Sequence, residues 1–193
     1  MMFLSGTSWF YLTESADHLL SWRTSQMADS EVANVQWTGY FPGAIGKITE
    51  LHATYYYDHW NLDVSFETQV GKEISEFVAQ FKKDKDGLWL VTSGDALAGC
   101  IIIDSGQVDT KGARLRWFIV APKFQGRGMG RALLDHALAF CKDAGYGKIY
   151  LWTFKGLDVA RSLYESKGFQ LSEEIEAHQW GIDLVAQKYE LSL

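Results

Sequence analysis

Cysteine is scarce in this chain. Its two cysteines, Cys100 and Cys141, are too few for a disulfide framework and show no metal-ligand spacing. Cys100 lies in an apolar run and Cys141 on a helical pattern, so both read as buried thiols rather than nucleophiles. Long apolar runs are also missing: none reaches the ~20 residues that a membrane helix needs. The opening Met1-Met2-Phe3-Leu4-Ser5-Gly6 lacks the basic start and apolar stretch of a secretion signal. These absences make the cytoplasm the expected location and argue against a membrane partner. Positive charge is in deficit, with 18 Lys and Arg against 24 Asp and Glu and a net charge of −6. A nucleic-acid binder presents a basic face, so nucleic acid is not the expected partner. No Walker loop is present, and Arg131 stands where a dinucleotide turn would need its third glycine.

What is there is the mix of one globular domain: 193 residues, 47% hydrophobic and 22% charged. Residues 1 to about 40, rich in Ser and Thr, read as a separate N-terminal segment, either a lead-in helix or an arm packed on the domain. Pro42-Gly43 marks a turn, and the domain proper is expected over 41–193. Ile45 to Tyr57 reads as a short strand running into a helix. Phe66, Val70, Ile74, Phe77, Val78 and Phe81 recur at helical spacing. Leu88–Thr92 and Ala98–Asp104 form a hairpin about Ser93-Gly94-Asp95. Leu115–Val120 reads as an apolar strand stopped by Pro122, and Met129–Ala144 as a helix stopped by Gly145. A strand at 149–153, a helix at 157–166 and two closing strands complete the order β-α-α-β-β-β-α-β-α-β-β. That is an α/β (α+β) single domain with a central mixed sheet flanked by helices.

The informative unit is the strand, the glycine turn and the helix that follows. In Gln125-Gly126-Arg127-Gly128-Met129-Gly130, glycines alternate with larger residues and remove the Cβ atoms that would keep a phosphate from the backbone. The turn opens into a helix whose first N–H groups lack internal partners and carry the positive end of the macrodipole. Between Arg114 and Arg131 stand five basic residues and no acidic one. A tight turn alone would not require these charges, and together they read as a phosphate cradle.

Gln125 to Gly130 resembles the signature of the GNAT N-acetyltransferases, Gln/Arg-x-x-Gly-x-Gly/Ala, and sits in its proper place after a strand. Downstream, Ala160-Arg161-Ser162-Leu163-Tyr164-Glu165-Ser166-Lys167-Gly168-Phe169 resembles that family's Ala-x-x-Leu-Tyr-Glu-x-x-Gly-Phe segment. The stretch Ile48 to Tyr56, with Phe66-Glu67, looks like a bacterial subgroup found alone or fused to winged-helix regulators. The resemblance runs from about Gly43 to Leu191 and implies the family's twisted sheet. It also implies that Phe118, Ile119 and Val120 offer backbone groups to the pantetheine arm of acetyl-CoA. The amides of Gln125, Gly126, Arg127, Gly128, Met129, Gly130 and Arg131 would hold its pyrophosphate, and Tyr164 would face its sulfur. The implied activity moves acetyl from acetyl-CoA to a primary amine by direct attack, on a small-molecule or peptide acceptor, with a homodimer left open. Chemistry agrees: a tetrahedral oxyanion is met by a backbone N–H, and the leaving thiolate by a proton donor.

The chain departs from the family pattern at three places. Leu157 stands where Asn is common, Leu115–Val120 carries no acid where a glutamate often serves as base, and Ala186 precedes Gln187 where Glu is common. Glu50 is therefore the expected base, with Glu67 and His52 as further candidates or a water chain in their place. The alternative function is a non-catalytic acyl-CoA-binding module.

Overall fold

The computed structural model describes residues 35–193. The expectation of a lead-in helix or arm therefore lies, for residues 1–34, outside the described residues. The chain runs β1 (Val35–Thr38), α1 (Ala44–Trp60), α2 (Val64–Ala79), β2 (Gly87–Ser93), β3 (Ala96–Asp104), a single helical turn α3 (Val108–Lys111) and β4 (Ala113–Val120). It continues through a 3-10 turn at Pro122–Phe124 into α4 (Met129–Asp143), β5 (Lys148–Phe154), α5 (Asp158–Ser166), β6 (Gln170–Gln179) and β7 (Ile182–Ser192). The order is the expected one with α3 added. Its first strand lies at 35–38, ahead of Pro42, and not at the start of the 45–57 stretch. That stretch is helical throughout, because Gly43 at φ 93° turns the chain into α1 and Ala44, Ile48 and His52 bury one face at helical spacing.

Asp63 caps α2 by accepting from the Ser65 N–H at 2.9 Å. The inner face of α2 is Phe66, Val70, Ile74 and Phe77. Phe81, expected on that face, lies past the helix end and is exposed, since α2 stops at Ala79. Helices α1 and α2 pack together on one side of the sheet, over Leu88, Leu90, Cys100, Ile102, Trp117 and Ile119. The apolar face of α4 buries Leu133, Leu134, Ala137 and Cys141.

Among the described residues one mixed sheet of seven strands runs in the order β1-β2-β3-β4-β5-β7-β6. Every neighbour is antiparallel except β4 and β5. That parallel pair is short: Ala113, Arg114 and Leu115 register with Ile149, Tyr150 and Leu151, and there the pairing ends. Beyond it the two strands diverge into a wedge. A second irregularity sits at the same place. The register of β4 on β3 slips between Cys100 and Ile102, and Trp117 is left-handed at φ 46°. Tryptophan is a rare occupant of that conformation. The slip is a β-bulge, which bends β4 away from β5.

Candidate active site

The wedge opens into a cavity of about 770 Å³ that passes through the sheet. One wall is β4 from Arg114 to Val120 and the other is β5 from Leu151 to Phe154. On one side it meets Gln125, Gly126 and Gly130 of the glycine turn and Leu157, Ala160, Leu163 and Tyr164 of α5. On the other side it runs under α1 and α2, past His52, Tyr56, Phe66, Gln69 and Glu73, to Trp180 in the β6–β7 hairpin.

The backbone of β4 is laid open by the divergence. The Ala121 N–H donates to the Ala98 carbonyl at 2.9 Å, toward β3. Strand alternation then turns the N–H groups of Val120 and Phe118 the other way, into the wedge, where no strand partner meets them. The Val120 carbonyl is taken by the Gln125 side chain, whose Nε2 donates to it at 2.8 Å. Gln125 thus ties the glycine turn to the end of β4. The bulge has its own tie: the Cys100 thiol donates to the Trp117 carbonyl at 3.1 Å. Burial pushes that thiol up to about 12, so it stays protonated and available as a donor.

In the glycine turn, Gly126 and Gly128 are left-handed at φ 72° and 82°, and no heavy atom stands within 4 Å of where their Cβ atoms would be. The space above the turn is open to a ligand. Gly128 caps α4, so the free N–H groups of Met129, Gly130 and Arg131 point into that space. Arg127 and Arg131 are exposed at its rim. The Met129 side chain faces inward, since a Cβ on Gly99 would stand 3.4 Å from its sulfur. Arg114 and Arg116, grouped by sequence with the phosphate cradle, line the cavity from β4, outside the turn. Arg116 is clamped by Glu73 and by Asp104, the latter at 3.2 Å. Its guanidinium also lies 3.6 Å over the Trp117 ring. Burial and then the charge of Arg114 push Arg116 down, while Glu73 and Asp104 hold it up.

Tyr164 is buried at 6% exposure. Its ring lies 6.1 Å from Phe118, 5.9 Å from Phe169 and 6.3 Å from Tyr189. Burial and then the neighbouring Tyr56 raise its proton affinity well above that of an ordinary tyrosine. It is a protonated phenol at any working pH. The expected bases separate. Glu50 and Glu67 are exposed on the helices and do not line the cavity. Among the three candidates, His52 is the one that reaches it. Its Nδ1 lies 2.8 Å from the Ile48 carbonyl, which can only accept, so Nδ1 carries the hydrogen and Nε2 keeps its lone pair. Burial pushes His52 down to about 4.

Glu73 lies outside the set of residues singled out by sequence. It stands in the cavity, accepts from Gln69 at 3.0 Å, and Gln69 accepts in turn from Trp180 at 2.9 Å. No local spacing announces this chain of contacts, because Glu73 and Arg116 are 43 residues apart. Ala186 lines the cavity where a glutamate is common in the resembling family, and buried Gln187 donates to Glu174 on β6 at 2.7 Å. Leu157 stands at the N-cap of α5 with no side-chain cap.

A sheet split between a parallel pair, with a glycine turn at one mouth of the split, defines the class of acyl-CoA-dependent acyltransferase folds. Residues 46–169 match the Acetyltransferase (GNAT) family, and the chain belongs to it. Among curated proteins it is similar to N-acetyltransferase 8 of Mus musculus, 29% identical over 120 residues, covering 54% of this chain and 53% of the mouse protein. It is also similar to an uncharacterized N-acetyltransferase of Methanocaldococcus jannaschii, 26% identical over 99 residues, or 49% of this chain and 44% of that one. The match spans about half the length of these relatives. In fold it is similar to an acetyltransferase from Streptococcus agalactiae, with TM-score 0.67 and 19% identity over 82% of this chain and 98% of that one. A protein assigned as an acetyltransferase from Salmonella typhimurium, solved with its cofactor acetyl-CoA, superposes with TM-score 0.61 and 14% identity over 82% of this chain and 93% of that one.

Proposed function

We propose that this protein moves an acetyl group from acetyl-CoA to a primary amine. The observation that carries the reading is the continuity of one cavity. It joins an open anion cradle, an unpaired strand edge and a buried phenol on one side of the sheet to an aromatic chamber on the other. The residues present fit the donor. The turn from Gln125 to Arg131 offers backbone N–H groups and open space to a pyrophosphate. Phe118 and Val120 offer strand-like hydrogen bonds to the amides of the pantetheine arm, with Ile119 spacing them.

When bound, acetyl-CoA supplies an acetyl group activated as a thioester. An N–H on the bulged part of β4 is placed to stabilise the oxyanion as the amine adds to the carbonyl carbon. The C–N bond would form first, and collapse of the tetrahedral adduct would then break the C–S bond, with the sulfur leaving as a thiolate. Tyr164 donates its phenolic proton to that thiolate and is left for the moment as a phenolate. The proton lost by the amine passes to Nε2 of His52, whose ring burial keeps uncharged. Its weak hold then releases the proton through water to the Tyr164 phenolate, which restores the phenol.

The test is a titration of purified protein with acetyl-CoA by calorimetry, followed by release of free thiol with a panel of primary amines. Binding in the micromolar range and amine-dependent thiol release are expected. No binding at millimolar acetyl-CoA overturns the reading.

A further inference from the structure

The chamber on the α1–α2 side of the sheet contains one arginine that closes no ion pair with a described residue. Arg114 lines the cavity from β4. It makes no hydrogen bond or ion pair with any described residue, although Asp104 stands opposite it on β3; the Nε atoms of Arg114 and Arg116 alike are unpartnered and closed off from the cavity. The carboxylates that could have met it are committed elsewhere: Glu73 and Asp104 both close on Arg116. Arg114 and Arg116 sit on the same face of β4, two residues apart, and with Glu73 and Asp104 they make a set of two positive and two negative charges in which both carboxylates bond Arg116. Around this point the chamber is aromatic, with Phe66, Trp152, Phe154 and Trp180 in its walls.

We propose that Arg114 is the acceptor-recognition residue and that the acceptor is an amine carrying a carboxylate. This rests on the acetyl-transfer reading of the same cavity. The planar fork of an arginine matches a carboxylate with two parallel N–H···O bonds, and an acceptor carboxylate would meet the terminal Nη atoms of Arg114. Arg114 lies three residues before the bulged Trp117, roughly 10 Å along the strand at ~3.3 Å per residue. The carboxylate is therefore held on the acceptor side while the amine reaches the wedge. The aromatic walls cover whatever apolar body joins the two. Arg116 does a different job: clamped on two sides, it fixes α2 against β4 and shapes the chamber.

The test uses product-side probes, so it does not depend on finding the natural acceptor. With the protein saturated in CoA, N-acetyl-L-phenylalanine and N-acetyl-β-alanine are titrated beside their carboxamides. The first probe carries its carboxylate next to the amine and the second further away, and the better binder tells which spacing the chamber takes. At least one acid is expected to bind on the order of 10- to 100-fold tighter than its amide, the usual worth of a charged hydrogen bond. Arg114→Gln should erase that preference, and Arg114→Lys, which keeps the charge and loses the fork, should keep part of it. Equal binding of acid and amide by the wild type overturns the proposal, as does a preference that survives in Arg114→Gln, or no binding of either acid at millimolar concentration. The wild-type comparison stands even if a variant fails to fold. Failure of the wild type to bind CoA itself would instead remove the acetyl-transfer reading beneath it.

Discussion

Tyr164 owes its proposed role to where its ring is held. Phe118, Phe169 and Tyr189 fix it at the inner end of the wedge, and burial keeps its proton on. Tyr164→Phe removes one hydroxyl and leaves this packing, so the fold and the affinity for CoA should stay. Turnover should fall by roughly 10²–10⁴, the range for a positioned acid. Steady-state thiol release should show the fall in kcat and kcat/KM alike, because the lost contact belongs to the transition state. It should shrink with acyl donors whose leaving thiol is more acidic. Full turnover under rate-limiting chemistry would make Tyr164 a packing residue. His52 gives a stability signature of its own. Its folded pKa, about 4, lies below the ordinary 6.5. The unfolded chain therefore takes up the proton first as pH falls, and the native state loses stability between 6.5 and 4. Above 6.5 the contribution is complete. By about pH 5 the loss should be roughly 2 kcal/mol, from 1.5 pH units at about 1.4 kcal/mol each. Urea unfolding at about pH 7.5 and pH 5 measures it, and His52→Phe should remove that part of the slope.

At the scale of elements, the glycine turn separates two uses of glycine. Gly128 at φ 82° needs its conformation, and Gly130 needs only room. Gly128→Val should cost about 1–2 kcal/mol through the left-handed backbone. It should also weaken acetyl-CoA binding at least tenfold, because the new side chain fills the cradle. A Cβ on Gly130 meets Leu163, Phe118 and Val120 at 3.6–3.7 Å, ordinary contact distances. Gly130→Ala should therefore keep the unfolding midpoint of the wild type in thermal melts. The glycine turn, α2, α4 and the β2–β3 hairpin were legible in the sequence, since each is written in local spacing and turn residues. The bulge in β4 was not. Trp117 favours an extended strand, and its left-handed turn is imposed by β3 on one side and the wedge on the other. The start of α1 was misread for a related reason. Ile45, Ile48 and Tyr55 to Tyr57 are strand formers by propensity, and only packing on α2 and the sheet makes them helical. The charges of Arg114 and Arg116 were visible but their neighbours were not, because Glu73 arrives from another element.

For the whole molecule, the order of elements followed from sequence, and the position of the split in the sheet did not. The split follows from three registered residue pairs between β4 and β5, a long-range count that no local pattern carries. It has a mechanical consequence. Four strands on one side and three on the other form two stiff leaves bound by a short spine. Each leaf is knit internally by antiparallel ladders, while α1 and α2 reach from the first leaf to Phe154 and Trp180 of the second, so among the strand pairings the spine is the compliant line. A long, narrow guest laid along the gutter would hydrogen-bond to the open edge of one leaf and pack against the other, acting as the binding thread that the backbone leaves out. Amide exchange should report this as slower opening of β4 and β5 together when the gutter is filled, with little change at the outer edges of the leaves. The bare protein is a book lying open, and the guest that it acts upon is also what closes its spine.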